Sequence, residues 1–167
     1  MSNSKEHRKW AYLSPEEILQ DPSRFQSRAE YPIDTMPYDL SDVDEYEEES
    51  AGILSVWWDD HAEAWYVIDG HRRLELALRT GASQVLCHYL QASTDAEAFA
   101  KGVILNLAKW AFEREDKMLP AIASRRAAVE RALHTRWLNP DSAAAIQLYK
   151  YYPDLGRRYS SFPKNYE

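Results

Sequence analysis

The residues closest to chemistry in this chain are Asp69-Gly70-His71-Arg72-Arg73. The run before them, Ala64-Trp65-Tyr66-Val67-Ile68, has the β-branched and aromatic content of a strand. The run after them carries Leu74, Ala77 and Leu78 at helical spacing. A strand is therefore expected to end at Asp69, a tight turn to follow at Gly70, and a helix to run from near His71 to Thr80. The first turn of a helix leaves backbone N–H groups unpaired at the positive end of its dipole, which suits a phosphate. Arg72 and Arg73 add permanent cations able to grip phosphate oxygens in pairs. Cations at a helix start oppose the dipole by a few tenths of a kcal/mol up to about 1 kcal/mol, and a bound anion would remove the conflict. The alternative is local pairing of either arginine with Asp69 or Glu75.

His71 has three readings. It is a general acid or base, since the ordinary imidazole pKa lies near neutrality, a hydrogen-bond donor to a phosphate, or simply a turn residue. Asp69 is the neighbouring carboxylate that could act as base. Elsewhere the signals are thinner. Asp59, Asp60 and Glu63 could hold a cation but read better as a hairpin tip. No His or Cys pair has metal-ligand spacing, so no metal site is assigned. Cys87, the one cysteine, lies in the apolar run Val85–Leu90 and reads as a small buried hydrophobe.

The elements that must position the turn follow from pattern. Ile53–Trp58 and Ala64–Asp69 read as a hairpin around a polar turn, with Trp57 and Trp58 on opposite sheet faces. Gly81 is placed to cap the helix, and Gln84–Leu90 reads as a third strand. Ser14-Pro15-Glu16-Glu17 reads as a short helix start ended by Pro22. Residues 30–50, with Pro32, Pro37 and seven acids between Asp39 and Glu49, read as an exposed loop. Thr94-Asp95-Ala96-Glu97 is a capping box opening a helix to about Phe112, a second runs from about Lys117 to His134, and a third starts at Asn139-Pro140. The order is mixed α+β first and all helix afterwards. It is expected to form a domain over 1–112 and a helical C-terminal extension over 113–167 packed on it.

Composition bounds the partners. The 167 residues carry a net charge of -7, unevenly spread. Residues 1–100 hold eight Lys/Arg against twenty Asp/Glu, while residues 101–167 hold twelve against seven. The first part would repel a polyanion; the basic C-terminal half could touch DNA, but its excess is modest, spread over long helices and reads first as a solvated face, so strong DNA binding by this chain alone is not the default. The mixture of aromatic and basic residues over Tyr149–Tyr159 suits either packing or single strands. One cysteine permits no intramolecular disulfide, and a cytoplasmic setting is the simplest. No secretory signal and no membrane span are expected.

Val67-Ile68-Asp69-Gly70-His71-Arg72-Arg73-Leu74-Glu75-Leu76-Ala77, with Gly81 and the strand after it, resembles the second box of ParB-like domains. Pro22-Ser23-Arg24-Phe25-Gln26-Ser27-Arg28 is similar to the first box of that family. Asn106-Leu107 with Arg114-Glu115-Asp116 is similar to a stretched third box. The resemblance spans residues 12–130. It implies a ParB/sulfiredoxin-like α+β fold, a small mixed sheet with packed helices. It also implies a triphosphate, CTP or ATP with or without Mg2+, held by Gln26, Arg28, Gly70, His71, Arg72, Arg73, Asn106 and Arg114.

Family members include DNA clamps, nucleases, a serine kinase and the peroxiredoxin-repair enzyme sulfiredoxin. The fold does not choose among them. The departures are informative. Sulfiredoxin has its catalytic cysteine where His71 stands, and Cys87 lies on another element, which argues against that chemistry. ParB proteins commonly have glutamate at the His71 position, tied to CTP turnover, and a third-box glutamate that helps hold magnesium is Leu105 here.

Three functions remain in view. One is a nucleotide-binding module acting as a switch in a DNA-associated process. Another is a phosphotransferase or nuclease with His71 or Asp69 as base. The third is a degenerate scaffold for a protein partner or homodimer.

Overall fold

Alternating burial along the β-branched and aromatic runs builds one mixed sheet. The computed structural model describes residues 9–28, 52–113 and 115–162. The strands are β1 (Trp10–Leu13), β2 (Ile18–Leu19), β3 (Leu54–Asp59), β4 (Ala64–Asp69) and β5 (Val85–Tyr89), in the spatial order β1-β5-β3-β4-β2. β1 with β5 and β3 with β4 are antiparallel; β3 with β5 and β2 with β4 are parallel. The register of β3 on β4 shifts between Ser55 and Val56, opposite the end of β4, so the ladder is irregular where the candidate turn begins. The helices of this unit are α1 (Pro22–Phe25) and α2 (His71–Thr80).

One face of the sheet carries the core. Leu54, Val56, Trp65, Val67, Val85, Cys87 and Tyr89 pack with Leu74 and Ala77 of α2. Trp58 joins them edge-on to Trp65 at 5.1 Å, and Trp65 stacks on Tyr89 at 4.4 Å. Trp57 points to the other face, as strand alternation requires, where Phe25 meets it at 6.1 Å and its indole N–H donates to the Ala92 carbonyl at 2.9 Å. Gly81 ends α2 in the left-handed region, and the Ala82 N–H returns to the Ala77 carbonyl at 2.9 Å.

The chain divides into two compact units: Met1–Gln26 with Glu30–Ala92, and Ser27–Ala29 with Ser93–Glu167. The sequence suggests a division after residue 112; the structure groups α3 (Asp95–Glu113) with α4 (Glu115–His134), α5 (Ala143–Leu148) and α6 (Pro153–Tyr159). The capping box before α3 forms, with the Glu97 N–H donating to Thr94 Oγ1 at 3.1 Å. The Glu97 carboxylate accepts from the Ser93 N–H at 2.9 Å. Tyr149 and Tyr152 are buried, their hydroxyls donating to the Pro140 and Ile122 carbonyls at 2.7 Å, so those two rings pack within the helical unit and are not open for base stacking. Arg158 pairs with Glu130 and Arg126 with Asp154. The class is α+β, and no helix among the described residues is long and apolar enough to cross a membrane.

Several expectations are corrected. The helix expected from Ser14 is one 3-10 turn, Pro15–Glu17, after which Ile18 pairs beside Trp65 as a strand. Sheet pairing that buries Ile18 overrides a local helix signal. Pro22 begins α1 at a position where its missing N–H is not needed. The helix expected at Asn139-Pro140 starts later, at Ala143, because Asn139 first forms a turn by accepting from the Asp141 N–H; Ser142 is the cap, accepting from the Ala145 N–H at 3.2 Å. The acidic stretch 39–49, with Pro32 and Pro37, lies outside the described residues.

Cys87 is fully buried in the sheet core, and burial pushes its thiol up to about 12. A thiol reagent at neutral pH should therefore leave the folded chain unmodified and label it once in denaturant; rapid native labelling measured by mass would contradict this packing.

Candidate functional site

β4 and α2 are joined by a single residue whose conformation is not open to choice. Gly70 has φ 104° and ψ 28°, in the left-handed region. A Cβ there would lie 2.5 Å from Leu54 Cδ2 and 3.6 Å from Leu54 Cα, and Leu54 is fully buried. Glycine is thus required twice, by backbone angle and by the close approach of β3. The Leu74 N–H returns to the Gly70 carbonyl at 2.9 Å, closing the first turn of α2. Gly70 offers no side chain to cap that turn, and the turn contains no acid.

Arg73 is held by backbone. Its Nη1 donates to the Ile53 carbonyl at 3.1 Å, and its guanidinium packs over Gly52, whose Cβ position would lie 3.4 Å from Arg73 Cζ. Among the described residues the partner of Arg73 is a carbonyl, not the carboxylate of Asp69 or Glu75. Arg72 and Asp69 are half-buried beside it.

His71, the first residue of α2, is only 7% exposed, and its Nε2 is buried with no hydrogen-bond partner among the described residues. Burial pushes the imidazole below its ordinary value; the charges of Asp69 and Asp21 oppose this without reversing it. Asp21 is a residue that sequence reasoning missed. It stands before α1, accepting from Ser23 Oγ and Arg24 Nε at 2.6 Å, contacts that hold its carboxyl below the usual range. Asp before Pro-Ser is a helix-start pattern, but nothing local ties Asp21 to His71; that approach comes only from the fold. Arg24 also lies over the Phe25 and Tyr66 rings, at 4.7 and 4.8 Å.

The other expected site residues fall as follows. Gln26 ends the first segment of the sheet unit, next to α1. Arg28 and Asn106 belong to the helical unit; Arg28 Nε is buried, and Asn106 Oδ1 is buried without a donor among the described residues. Arg114 lies outside the described residues. Asp59 is buried and its Oδ1 accepts from the His61 and Ala62 N–H groups at 2.9 and 3.3 Å, so this carboxylate builds the hairpin tip. Among the described residues no three His, Cys, Asp or Glu side chains cluster as a metal cage. A magnesium ion carried by a triphosphate needs only one or two carboxylates, so that observation concerns a protein-held metal alone.

No protein-family model and no curated protein matches the chain. Among solved structures, it is similar to the C-terminally truncated chromosome-partitioning protein ParB from Caulobacter crescentus, complexed with CTP-gamma-S. Identity is 15% over 93% of this chain and 84% of that one, with a TM-score of 0.39.

Two predictions follow from the turn itself. Gly70→Ala should lower the unfolding free energy by about 1–3 kcal/mol, the cost of a side chain in a strained backbone region; urea unfolding checks it, and a neutral result would contradict the geometry. The second concerns pH. An imidazole depressed by folding takes its proton first in the unfolded chain, so stability should decline as pH falls from the ordinary value of 6.5 through the lower folded value. His88, depressed by burial and by Lys9, acts in the same direction. The depressed carboxylates start from 3.8 or 4.5 and act only in stronger acid. Thermal melts of wild type and His71→Asn over this window should show a shallower slope for the variant.

Proposed function

We propose that this chain is a nucleotide-binding module that holds the phosphates of CTP or ATP at the β4–α2 turn. The observation that carries the reading is the start of α2: a helix N-terminus without side-chain cap or acid, pinned by Gly70 against Leu54, with Arg72 and Arg73 in its first turn. Oriented N–H groups and guanidinium groups are the donors that phosphate oxygens require. Arg73 is already fixed by the Ile53 carbonyl, so less side-chain freedom is lost on binding. The similarity of Gly70–Arg73 to the second ParB box points to the same ligand class. Gln26 is the further residue of this unit proposed to reach the nucleotide. A role as a switch in a DNA-associated process, with contact through the basic C-terminal half, is the biological setting proposed with it.

A thermal-shift screen of nucleotides with and without magnesium tests the reading, because a ligand that binds only the folded state raises its stability. CTP or ATP should raise the melting temperature. Arg72→Ala and Arg73→Ala should each weaken binding about 10- to 100-fold, the worth of a hydrogen bond to a charged group. Because Arg73 also bonds Ile53, its variant is compared after confirming a native circular dichroism spectrum. No shift with any nucleotide at millimolar concentration would remove the proposal. Turnover with ATP, magnesium and serine, or with plasmid DNA, would add a phosphotransferase or nuclease role with His71 or Asp69 as base.

A further inference from the structure

We propose that the anion at the β4–α2 turn is gripped by His71 itself through Nε2, and that its binding carries a solvent proton onto the imidazole. The inference rests on the phosphate-binding reading of this turn. His71 is 7% exposed, and its Nε2 is shielded from solvent without a partner among the described residues. Buried polar atoms are nearly always matched, so an orphan at the first position of a ten-residue helix marks where a ligand oxygen belongs. Helix dipole and burial both oppose a charged ring there.

The groups around the ring set the sign of the coupling. Asp69 from β4 and Asp21 from the segment before α1 favour the imidazolium, and Asp21 is itself matched by Arg24 at 2.6 Å. Arg72 and Arg73 follow on the same helix and carry positive charge. Without an anion burial prevails and the ring is neutral near pH 7. A bound phosphate brings negative charge and an acceptor to Nε2, and both favour the protonated ring. The step balances simply: one proton leaves solvent or buffer and joins the ring nitrogen, which then donates to the phosphate oxygen. No covalent bond to phosphorus forms or breaks.

Isothermal titration of the full chain with CTP and with ATP, in buffers of different ionisation enthalpy, measures the protons taken up. Wild type should take up more protons than His71→Asn, by a fraction approaching one per site, and its affinity should gain more than the variant's as pH falls from roughly 8 to 6. Subtracting the variant cancels protonation of the nucleotide itself. If both proteins bind with equal proton uptake and equal pH dependence, the role of His71 is overturned while the nucleotide reading stands. If wild type binds neither nucleotide, that reading fails and takes the inference with it. Should His71→Asn not fold, proton NMR of the His71 ring in wild type decides: its titration must move to higher pH on nucleotide addition, and an unmoved titration overturns the proposal.

Discussion

The approach of Leu54 to Gly70 is the constraint on which the candidate site depends. Leu54 belongs to the β3 core and is completely covered, so it has little room to retreat. Because a Leu54 methyl presses where a Cβ would stand and φ is positive, glycine is the residue that turns β4 directly into α2 without strain. One residue therefore transmits the rigidity of the sheet core to the helix start. Ile53, the residue before β3, accepts from Arg73 Nη1 through its carbonyl and so holds that guanidinium. The donor array is positioned by packing, not by a mobile loop.

Charge around the turn is balanced on short scales. Asp21 is matched by Arg24, whose guanidinium also rests on two aromatic rings. Arg73 is matched by a carbonyl, which occupies donors without cancelling charge. No acid stands in the first turn of α2, although the first hundred residues are strongly acidic. Net charge describes long-range steering; the site depends on contacts inside a Debye length, where individual pairs decide.

What could be read from sequence divides by the range of the interactions. The hairpin, the Gly70 turn, α2 with its Gly81 cap, β5 and the Thr94 capping box are all carried by local pattern, and each forms. The strands β1 and β2 are short, and β2 has only two residues, too few for any period to register. Ile18 becomes a strand because Trp65 lies beside it, a contact far away in sequence. The same limit governs the site. Gly70, Arg72 and Arg73 announce themselves by spacing, whereas Asp21 reaches His71 only through the fold, and the burial of Nε2 is a property of three-dimensional packing. Arg28 and Asn106, named by family resemblance, fall in the helical unit, and resemblance could not say that Arg28 Nε and Asn106 Oδ1 would be buried there.

The identity of residue 71 then has a physical logic of its own. A glutamate in this place, common in the resembled family, would sit nine-tenths covered near Asp69 and Asp21. Burial and two like charges would all push its pKa upward, toward a protonated acid that binds no cation and repels no anion. Imidazole meets the same surroundings differently. Burial discourages its charge and the two carboxylates encourage it, with burial prevailing, so a further negative charge beside the ring would work against burial. Since Nε2 is covered, the anion contact proposed for it would require an opening of whatever shields it, coupling recognition at this turn to local rearrangement as well as to charge.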